Sequence, residues 1–273
     1  MPAMLEIIRS ESIPEFADMA QDQAQFAVNG IAAEYPRGYV VPWHQHQRCH
    51  LLYATRGVML VEAQTGKWMV PPTTAVWLRP EVPHRLIMQS AVQVHGILVA
   101  PAEARALSLS DSVIGVSNLL KALIARLVAI AADAPVSRHR QLLADLFLAE
   151  LSEQQALPYH LPWPNDSKFV QLCEQLSRDP SLDLRIEQWA EQLAMSSKTF
   201  QRHFLKNTGL SFSRWRQQLR LMSALNQLIQ GKSITEVALS SGYESHSAFT
   251  VAFHKHFGHS PSSFMQKLQL QSQ

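Results

Sequence analysis

The C-terminal hundred residues of the chain contain one pattern twice, and this repeat limits the fold more than any other feature. Ala190 matches Ala238 at an offset of 48 residues, and five later residues match at an offset of 49. The five pairs are Ser196 and Ser245, Phe200 and Phe249, Phe204 and Phe253, Gly209 and Gly258, and Ser211 and Ser260. Each copy is typical of two short helices joined by a tight turn. One copy is common in protein cores, whereas two in tandem predict an all-α domain of two helix-turn-helix units.

The spacing of apolar residues predicts how these helices are oriented. The first helices carry a packing face, which consists of Ile186, Trp189, Ala190 and Leu193 in one copy and of Ile234, Val237 and Ala238 in the other. The paired phenylalanines lie four residues apart, so each pair occupies one side of a second helix. Residues 212–230 also have a helical period, with inward positions at Trp215, Leu219, Met222, Leu225 and Leu228. We expect this helix to hold the two units at a fixed separation. Further helix starts are indicated by Ser233 with Glu236 and by Ser260 with Pro261.

The outward side of each second helix is polar and free of acids. It carries Ser197, Lys198, Thr199, Gln201, Arg202 and Lys206 in the first copy, and His246, Ser247, Thr250 and Lys255 in the second. Amides, hydroxyls and cations of this kind suit base edges and phosphates. Residues 160–273 hold 12 basic and 8 acidic side chains, a modest surplus that favours a polyanionic partner. We therefore expect double-stranded DNA as the partner of this half.

Two segments of the second copy carry a family resemblance. The run G-Y-E-S-H-S-A-F at 242–249, followed by F-G-H-S-P at 257–261, closely resembles the signature of AraC/XylS-type transcriptional regulators, and the resemblance covers about residues 165–270. It implies two recognition helices in successive major-groove segments, with Lys198, Gln201 and Arg202 at base contacts and His246 and Ser247 beginning the second set. The chain departs from many relatives at residue 251, where Val251 replaces an arginine.

The N-terminal half has the pattern of a small β domain. Short runs rich in Val, Ile, Leu and aromatics, separated by glycines and prolines, predict strands between about residues 30 and 100. The two cysteines, Cys49 and Cys173, fall in different predicted domains, which argues against a disulfide framework or a thiolate metal cluster. The predicted fold class is a small antiparallel β-barrel with helices, followed by the all-α domain.

A histidine cluster marks this β domain. The segment from Gly38 to Gly57 reads G-x5-H-x-H-x3-H-x6-G and resembles the first cupin motif, with histidine where glutamate usually stands; His84 occupies the matching position of a degenerate second motif. The resemblance implies a cupin-type, double-stranded β-helix barrel with a ligand cavity. His44, His46 and His50 share one parity along the chain, so they can point to the same side.

Two kinds of ligand fit these residues. Neutral imidazoles of His44, His46, His50 and His84 suit a divalent transition metal such as Zn, Ni, Fe or Cu. Alternatively, the histidines form a hydrogen-bonding pocket for an organic effector, walled by Trp43, Tyr53, Trp68 and Trp77. We expect no obligatory metal, and we expect His95 to be a core or pocket residue and not a further ligand.

The segment between the two halves is expected to be helical. Apolar spacing predicts helices over 114–130 and 138–155, and three prolines within 157–166 indicate a linker. The expected organisation is an effector-binding barrel at 1–105, a helical coupling segment at 106–158, a linker at 159–166 and the DNA-binding domain at 167–273. Leu119, Leu120, Leu123 and Leu127 are consistent either with a seam between two chains or with a cap on the barrel.

Together these features predict a bacterial regulator that senses a small molecule and controls DNA binding or activation. The expected partners are promoter DNA, the effector, a second copy of the chain and, as a candidate, RNA polymerase. The alternative is a metal-dependent cupin enzyme or metal sensor fused to a DNA-binding domain; no carboxylate stands beside the histidines as a general base, and we expect no enzyme. The N-terminus lacks the basic and apolar pattern of a secretion signal, so we expect a cytoplasmic protein without a membrane partner.

Overall fold

The computed structural model describes residues 26–71, 74–107, 109–131 and 133–270. Their contacts divide them into two compact units, one drawn from residues 26–63 and 68–159 and the other from 64–67 and 160–270. Within these described stretches, none of the helices combines the length and the apolar composition that crossing a membrane requires.

The first unit is built on antiparallel strands. Its strands are β1 (Val28–Tyr35), β2 (Val40–His44), β3 (Cys49–Arg56), β4 (Met59–Ala63), β6 (Thr74–Leu78), β7 (His84–Met88), β8 (Val92–Val99), β9 (Ser112–Gly115) and β10 (Ala156–Leu157), together with the last three residues of β5 (Gly66–Val70). One sheet has the order β1-β8-β3-β6-β9-β10, and the other includes β5-β4-β7-β2. The prediction of an antiparallel β domain followed by an all-α domain is confirmed, with the described strands in two sheets and not in one continuous ring.

The two faces of the first sheet differ. On β3, Leu51 and Tyr53 point into a core shared with Ile97 of β8 and with the helices that follow the sheet. Successive side chains of a strand alternate between faces, so His50 points to the opposite side. This alternation separates the histidine side of the sheet from its helix-covered side.

The described part of this unit also contains three α-helices, which are α1 (Pro101–Ala104), α2 (Asn118–Val128) and α3 (Arg138–Ser152). The prediction of a helix from residue 114 is wrong at its start, because Val113 and Ile114 pair with Val76 and Ala75 as part of β9. Helix α2 begins only after Ser117, whose hydroxyl accepts a hydrogen bond from the Leu120 backbone N–H at 3.1 Å.

Helix α2 lies directly on the sheet. A Cβ atom on Gly30 of β1 would stand 2.5 Å from the Val128 backbone, so only glycine permits this approach. Leu120, Leu123 and Leu127 are buried in the same core. Three of the four leucines considered for an interchain seam therefore cap the β domain, whereas Leu119 is 46% exposed.

The second unit contains the repeat. Its elements are β11 (His160–Pro162), α4 (Ser167–Arg178), α5 (Ile186–Gln192), α6 (Ser197–Thr208), α7 (Phe212–Ile229), α8 (Ile234–Ser240), α9 (His246–Phe257) and α10 (Pro261–Leu270). Helices α5 and α8 each have 7 residues, and α6 and α9 each have 12. The turn between α8 and α9 is one residue longer than that between α5 and α6. This extra residue accounts for the change of offset from 48 to 49.

Both copies begin and end their second helix in the same way. Ser196 and Ser245 cap the N-termini of α6 and α9, and their hydroxyls accept hydrogen bonds from Thr199 N–H and Ala248 N–H. Gly209 and Gly258 end the helices with φ of 72° and 78°. Such a left-handed C-terminal residue is strained unless it is glycine.

Helix α7 connects the two copies through buried side chains. All five positions predicted to point inward, from Trp215 to Leu228, are buried. Trp215 lies in a core with Phe200, Phe204 and Phe212, and its Nε1–H donates to the Pro162 carbonyl at 2.7 Å. The stretch predicted as a linker at 159–166 thus contributes strand β11 and contacts to the second unit.

Candidate functional site

Four imidazoles converge on one side of the first unit. His44 ends β2 and is the cross-strand neighbour of His84, the first residue of β7. His46 lies in the loop that follows β2, and His50 lies on β3. The ring centroids are 4.3 Å apart for His44 and His84, 5.1 Å for His44 and His46, and 4.6 Å for His46 and His50. Ligand nitrogens of His44, His46 and His84 all lie within 4.8 Å of one another.

The backbone fixes the orientation of two of these rings. His44 Nδ1 lies 2.8 Å from the Pro42 carbonyl, and His84 Nδ1 lies 2.8 Å from the Val82 carbonyl. A carbonyl only accepts, so each Nδ1 donates and each Nε2 keeps its lone pair. The buried Nε2 of His84 has no hydrogen-bond partner among the described residues. Histidines that bind metals are oriented by the same kind of second contact.

The loop before His84 is tied to the loop of His46. The Glu81 N–H donates to the His46 carbonyl at 2.8 Å, and Glu81 has a left-handed φ of 60°. Such strained residues persist where the surrounding structure holds them, and they are common at functional sites.

Burial keeps the imidazoles of His50 and His84 neutral. The pKa of His84 falls to about 3, mainly because burial penalises the charged ring and because His44 is close, although the hydrogen bond to Val82 opposes the shift. Burial lowers the pKa of His50 well below its usual value, and the neighbouring histidines lower it further. Neutral imidazole is the form that binds metal ions, and a set of neutral nitrogen donors suits Zn, Ni, Cu or Fe.

Two of the four aromatics predicted to wall the pocket lie away from this cluster. Tyr53 and Trp77 belong to the core beneath the helices, on the opposite face from His50, so their assignment to the histidine pocket is wrong. Trp43 is half exposed, with the Arg85 guanidinium 5.4 Å from its ring centre, and Trp68 is buried within β5. Tyr53 and His50 are three residues apart on β3, and an odd separation places two side chains on opposite faces of a strand. The sequence alone could therefore have shown that Tyr53 faces away from His50.

Cys49 and His95 also face away from the histidine cluster. Cys49 lies in the helix-covered core with Leu51, and burial raises the pKa of its thiol to about 11. His95 is opposite Tyr53 in the register of β3 and β8, and thus shares the parity of Ile97. The cluster that the structure describes is therefore built from imidazoles.

The second helices of the repeat present polar side chains to solvent. On α6, Phe200 and Phe204 are buried, whereas Lys198, Gln201, Arg202 and Lys206 are exposed. Ser197 and Thr199 are half-buried, and the Thr199 hydroxyl accepts a hydrogen bond from the capping Ser196 hydroxyl at 2.9 Å.

Helix α9 repeats this arrangement with one exception. His246, Ser247 and Lys255 are exposed, and Val251 is 68% exposed. Thr250 is half-buried, and its hydroxyl is covered without a hydrogen-bond partner in the described structure. Thr250 therefore exposes less of its side chain than the other predicted contacts of this helix, and its contact with DNA stays a prediction.

Comparisons with known proteins identify the family. A family model described as "Helix-turn-helix domain" matches residues 189–267, which extend from within α5 into α10. The HTH-type transcriptional regulator NimR of Escherichia coli K12 is 30% identical over 227 residues, covering 83% of each chain. The chain belongs to the AraC family of transcriptional regulators. A second relative, the HTH-type transcriptional regulator RipA of Corynebacterium glutamicum, is 38% identical over 103 residues, which cover 38% of this chain and 31% of that protein. A solved structure of ToxT from Vibrio cholerae is similar over 88% of this chain and 98% of that one, with 11% identity and a TM-score of 0.38.

Sequence patterns missed some residues that shape the sites of this AraC-family regulator. The Pro42 and Val82 carbonyls orient histidines, and each lies two residues before the histidine that it contacts. Arg220 of α7 donates to the Pro180 and Gly242 carbonyls at 2.9 and 3.3 Å. A backbone carbonyl has no side-chain signature, so these contacts are visible only in the folded chain.

Proposed function

We propose that this AraC-family regulator reads DNA through the exposed faces of α6 and α9. The observation that carries the proposal is the two-sided character of both helices: each buries a phenylalanine pair and exposes cations, amides or hydroxyls on the other side. A helix of this kind can enter a major groove without disturbing its own core.

The two helices are proposed to contribute unequally. Lys198, Gln201 and Arg202 are exposed near the beginning of α6, where a recognition helix meets base edges, and Lys206 lies further along, suited to a phosphate. On α9, His246, Ser247 and Lys255 are the exposed polar contacts, and Ser197, Thr199 and Thr250 are secondary candidates because they are half-buried. We assign most of the sequence discrimination to α6.

The test is a binding titration with a duplex selected from a random-sequence pool by the parent chain. Arg202→Ala should lose about 1–3 kcal/mol of specific affinity and little affinity for an unrelated duplex. Arg178→Ala is the matched control, because Arg178 is an exposed arginine of the same unit on α4. Equal binding of the selected duplex by Arg202→Ala and the parent would refute the contact.

We also propose that the histidine cluster binds a divalent transition metal and that this site belongs to the effector-binding function. His44, His46 and His84 are the proposed ligands, with His50 as a fourth nitrogen donor on the same side. The fixed Nδ1 contacts of His44 and His84 support the proposal, because a second contact of this kind orients the histidines that bind metals. The short distances between the rings favour an ion over an organic molecule within the cluster itself.

Metal binding is tested by titration of the chelator-treated chain with Zn²⁺ or Ni²⁺ in competition with a coloured chelator. His84→Ala should weaken binding by roughly 10- to 100-fold or more. His139→Ala is the control, since His139 is an exposed histidine of α3 in the same unit. Equal metal affinity of His84→Ala and the parent would contradict the proposal.

A regulatory role requires that the ligand change the affinity for DNA. A ligand shifts an equilibrium only when it binds two arrangements of the protein with different affinity. The selected duplex should therefore bind with different affinity in the presence of the metal and of a chelator. Metal binding combined with catalytic turnover would instead favour the cupin enzyme considered from the sequence.

We further propose that the chain forms a homodimer through α3. Leu142 and Leu146 lie one turn apart on this helix and are 56% and 45% exposed. Exposed apolar patches mark interaction sites, and a second copy of this helix would cover both leucines. Leu146→Glu should shift the sedimentation coefficient toward the monomer, whereas Val136→Glu, at an exposed apolar residue outside α3, should not.

A further inference from the structure

Arg220 lies in the middle of α7 and contacts both copies of the repeat. Its Nε donates to the Pro180 carbonyl at 2.9 Å, and one terminal nitrogen lies 3.5 Å from Asp183 Oδ1, both in the segment that leads into α5. Its other terminal nitrogen donates to the Gly242 carbonyl at 3.3 Å, in the turn between α8 and α9. One guanidinium thus joins the entrance of the first helix-turn-helix unit to the turn of the second.

Arg216 provides a contrast one helical turn earlier on α7. Its hydrogen bond goes to the Leu184 carbonyl at 2.9 Å, and its ion pair is with Asp183 at 3.3 Å. Both partners precede α5 in the first helix-turn-helix copy. Arg216 therefore resembles Arg220 in its charge, its helix and its contacts with the first helix-turn-helix copy. In the described structure it has no bond to the second copy.

The turn of the second copy is shaped to admit the Arg220 side chain. A Cβ atom on Gly242 would stand 2.9 Å from Arg220 Cζ and 3.0 and 3.1 Å from two of its nitrogens. The guanidinium forms its fork of donors in a fixed plane, so several hydrogen bonds specify its position more closely than one would. The hydrophobic contacts of α7 hold each helix-turn-helix copy to this helix, and Arg220 adds a direct bond between the two copies.

We infer that Arg220 is a positioning residue that fixes the separation and angle of α6 and α9, and so the spacing of the two DNA segments that the protein reads. The inference rests on the proposed function in that α6 and α9 contact DNA. Two bound helices reinforce each other only when both reach their segments together, so a rigid connection raises affinity at one spacing and lowers it at others.

The first experiment measures the geometry without DNA. Spin labels are attached to Leu205→Cys on α6 and Val251→Cys on α9, two exposed apolar residues, while the native Cys49 and Cys173 are buried. Double electron–electron resonance should give a narrow distance distribution in the labelled parent chain. Arg220→Met should broaden it, and Arg216→Met should not. Equally narrow distributions for the parent and Arg220→Met would overturn the inference.

The second experiment measures DNA spacing. Duplexes derived from the selected sequence have single base pairs inserted or removed between the two contacted segments. Arg220→Met should weaken binding at the native spacing by roughly 10- to 100-fold, because α9 is then held less firmly beside its DNA segment while α6 is bound. The dependence of affinity on the spacing should also become flatter. Arg216→Met should retain the parent's profile. An unchanged spacing profile in Arg220→Met would also overturn the inference.

Two controls separate the possible causes of failure. Thermal unfolding of the full chain shows whether Arg220→Met folds. If it does not fold, Arg220→Lys replaces it in both experiments. This variant keeps the charge but lacks the forked guanidinium, so its effects should have the same direction. If the parent chain selects no sequence from the random pool, the proposed DNA-reading function fails, and the spin-label distances still decide the role of Arg220.

Discussion

The Gly242→Ala substitution should destabilise the second unit more than an alanine at other left-handed glycines. Gly242 has a φ of 76°, a conformation that costs an L-residue roughly 1–2 kcal/mol. The added Cβ would also displace the Arg220 guanidinium, which lies 2.9 Å away. A lost hydrogen bond to a charged group costs about 1.5–3 kcal/mol.

One effect acts in the opposite direction. Replacing glycine with alanine restricts the unfolded chain, which stabilises the folded state by about 0.4–1 kcal/mol. The net loss in the free energy of unfolding should therefore be about 2–4 kcal/mol. Scanning calorimetry of the full chain, supported by urea unfolding, measures it.

Matched substitutions isolate the two contributions. Gly209 and Gly258 have φ of 72° and 78°, and no described atom lies within 4 Å of a Cβ placed on either. Alanine at these positions should cost only about 1 kcal/mol, because the backbone conformation is the sole penalty. Ala194, at φ 52°, occupies the position of the first turn that corresponds to Gly242, so Ala194→Gly should stabilise by about 0.5 kcal/mol. Equal losses for Gly242→Ala and Gly209→Ala would refute the role assigned to Arg220.

Three further predictions concern other residues. Phe204→Ala should lower the free energy of unfolding by about 3–5 kcal/mol, since its buried ring contacts Phe169, Phe212 and Trp215; a loss below about 1 kcal/mol in urea unfolding would contradict this packing. Val251→Arg should steepen the logarithmic salt dependence of DNA binding by about 0.9 through one new phosphate contact, and an unchanged slope would mean that Val251 does not face the duplex. Cys49 and Cys173 are buried with raised thiol pKa values, so a thiol reagent should modify them only after unfolding; rapid reaction of the folded chain would disagree with their positions.

Local patterns predicted the second unit well. The repeat offsets, the serine caps and the paired phenylalanines are set by residues close in sequence, and the structure confirms α6, α7 and α9 with these features. Helices form through contacts between residues three and four apart, so their signals lie within one or two turns of the chain.

Patterns were less informative where a contact comes from distant residues. Ile114 fits the helical spacing of the residues after it, but it pairs with Ala75 of β6 as part of a strand. The four aromatics of the proposed wall are suitable in kind, and the sheet turns Tyr53 and Trp77 toward the helices.

By itself, the sequence determined that the chain carries two helix-turn-helix units and a set of histidines with one parity. Only the tertiary structure decided that His84 joins His44 across two strands, that carbonyls orient both rings, and that Arg220 bonds one helix-turn-helix copy to the other. The physical reason is that helix periodicity is a property of neighbouring residues, whereas a site formed by separate strands or by backbone carbonyls exists only after the chain has brought distant segments together.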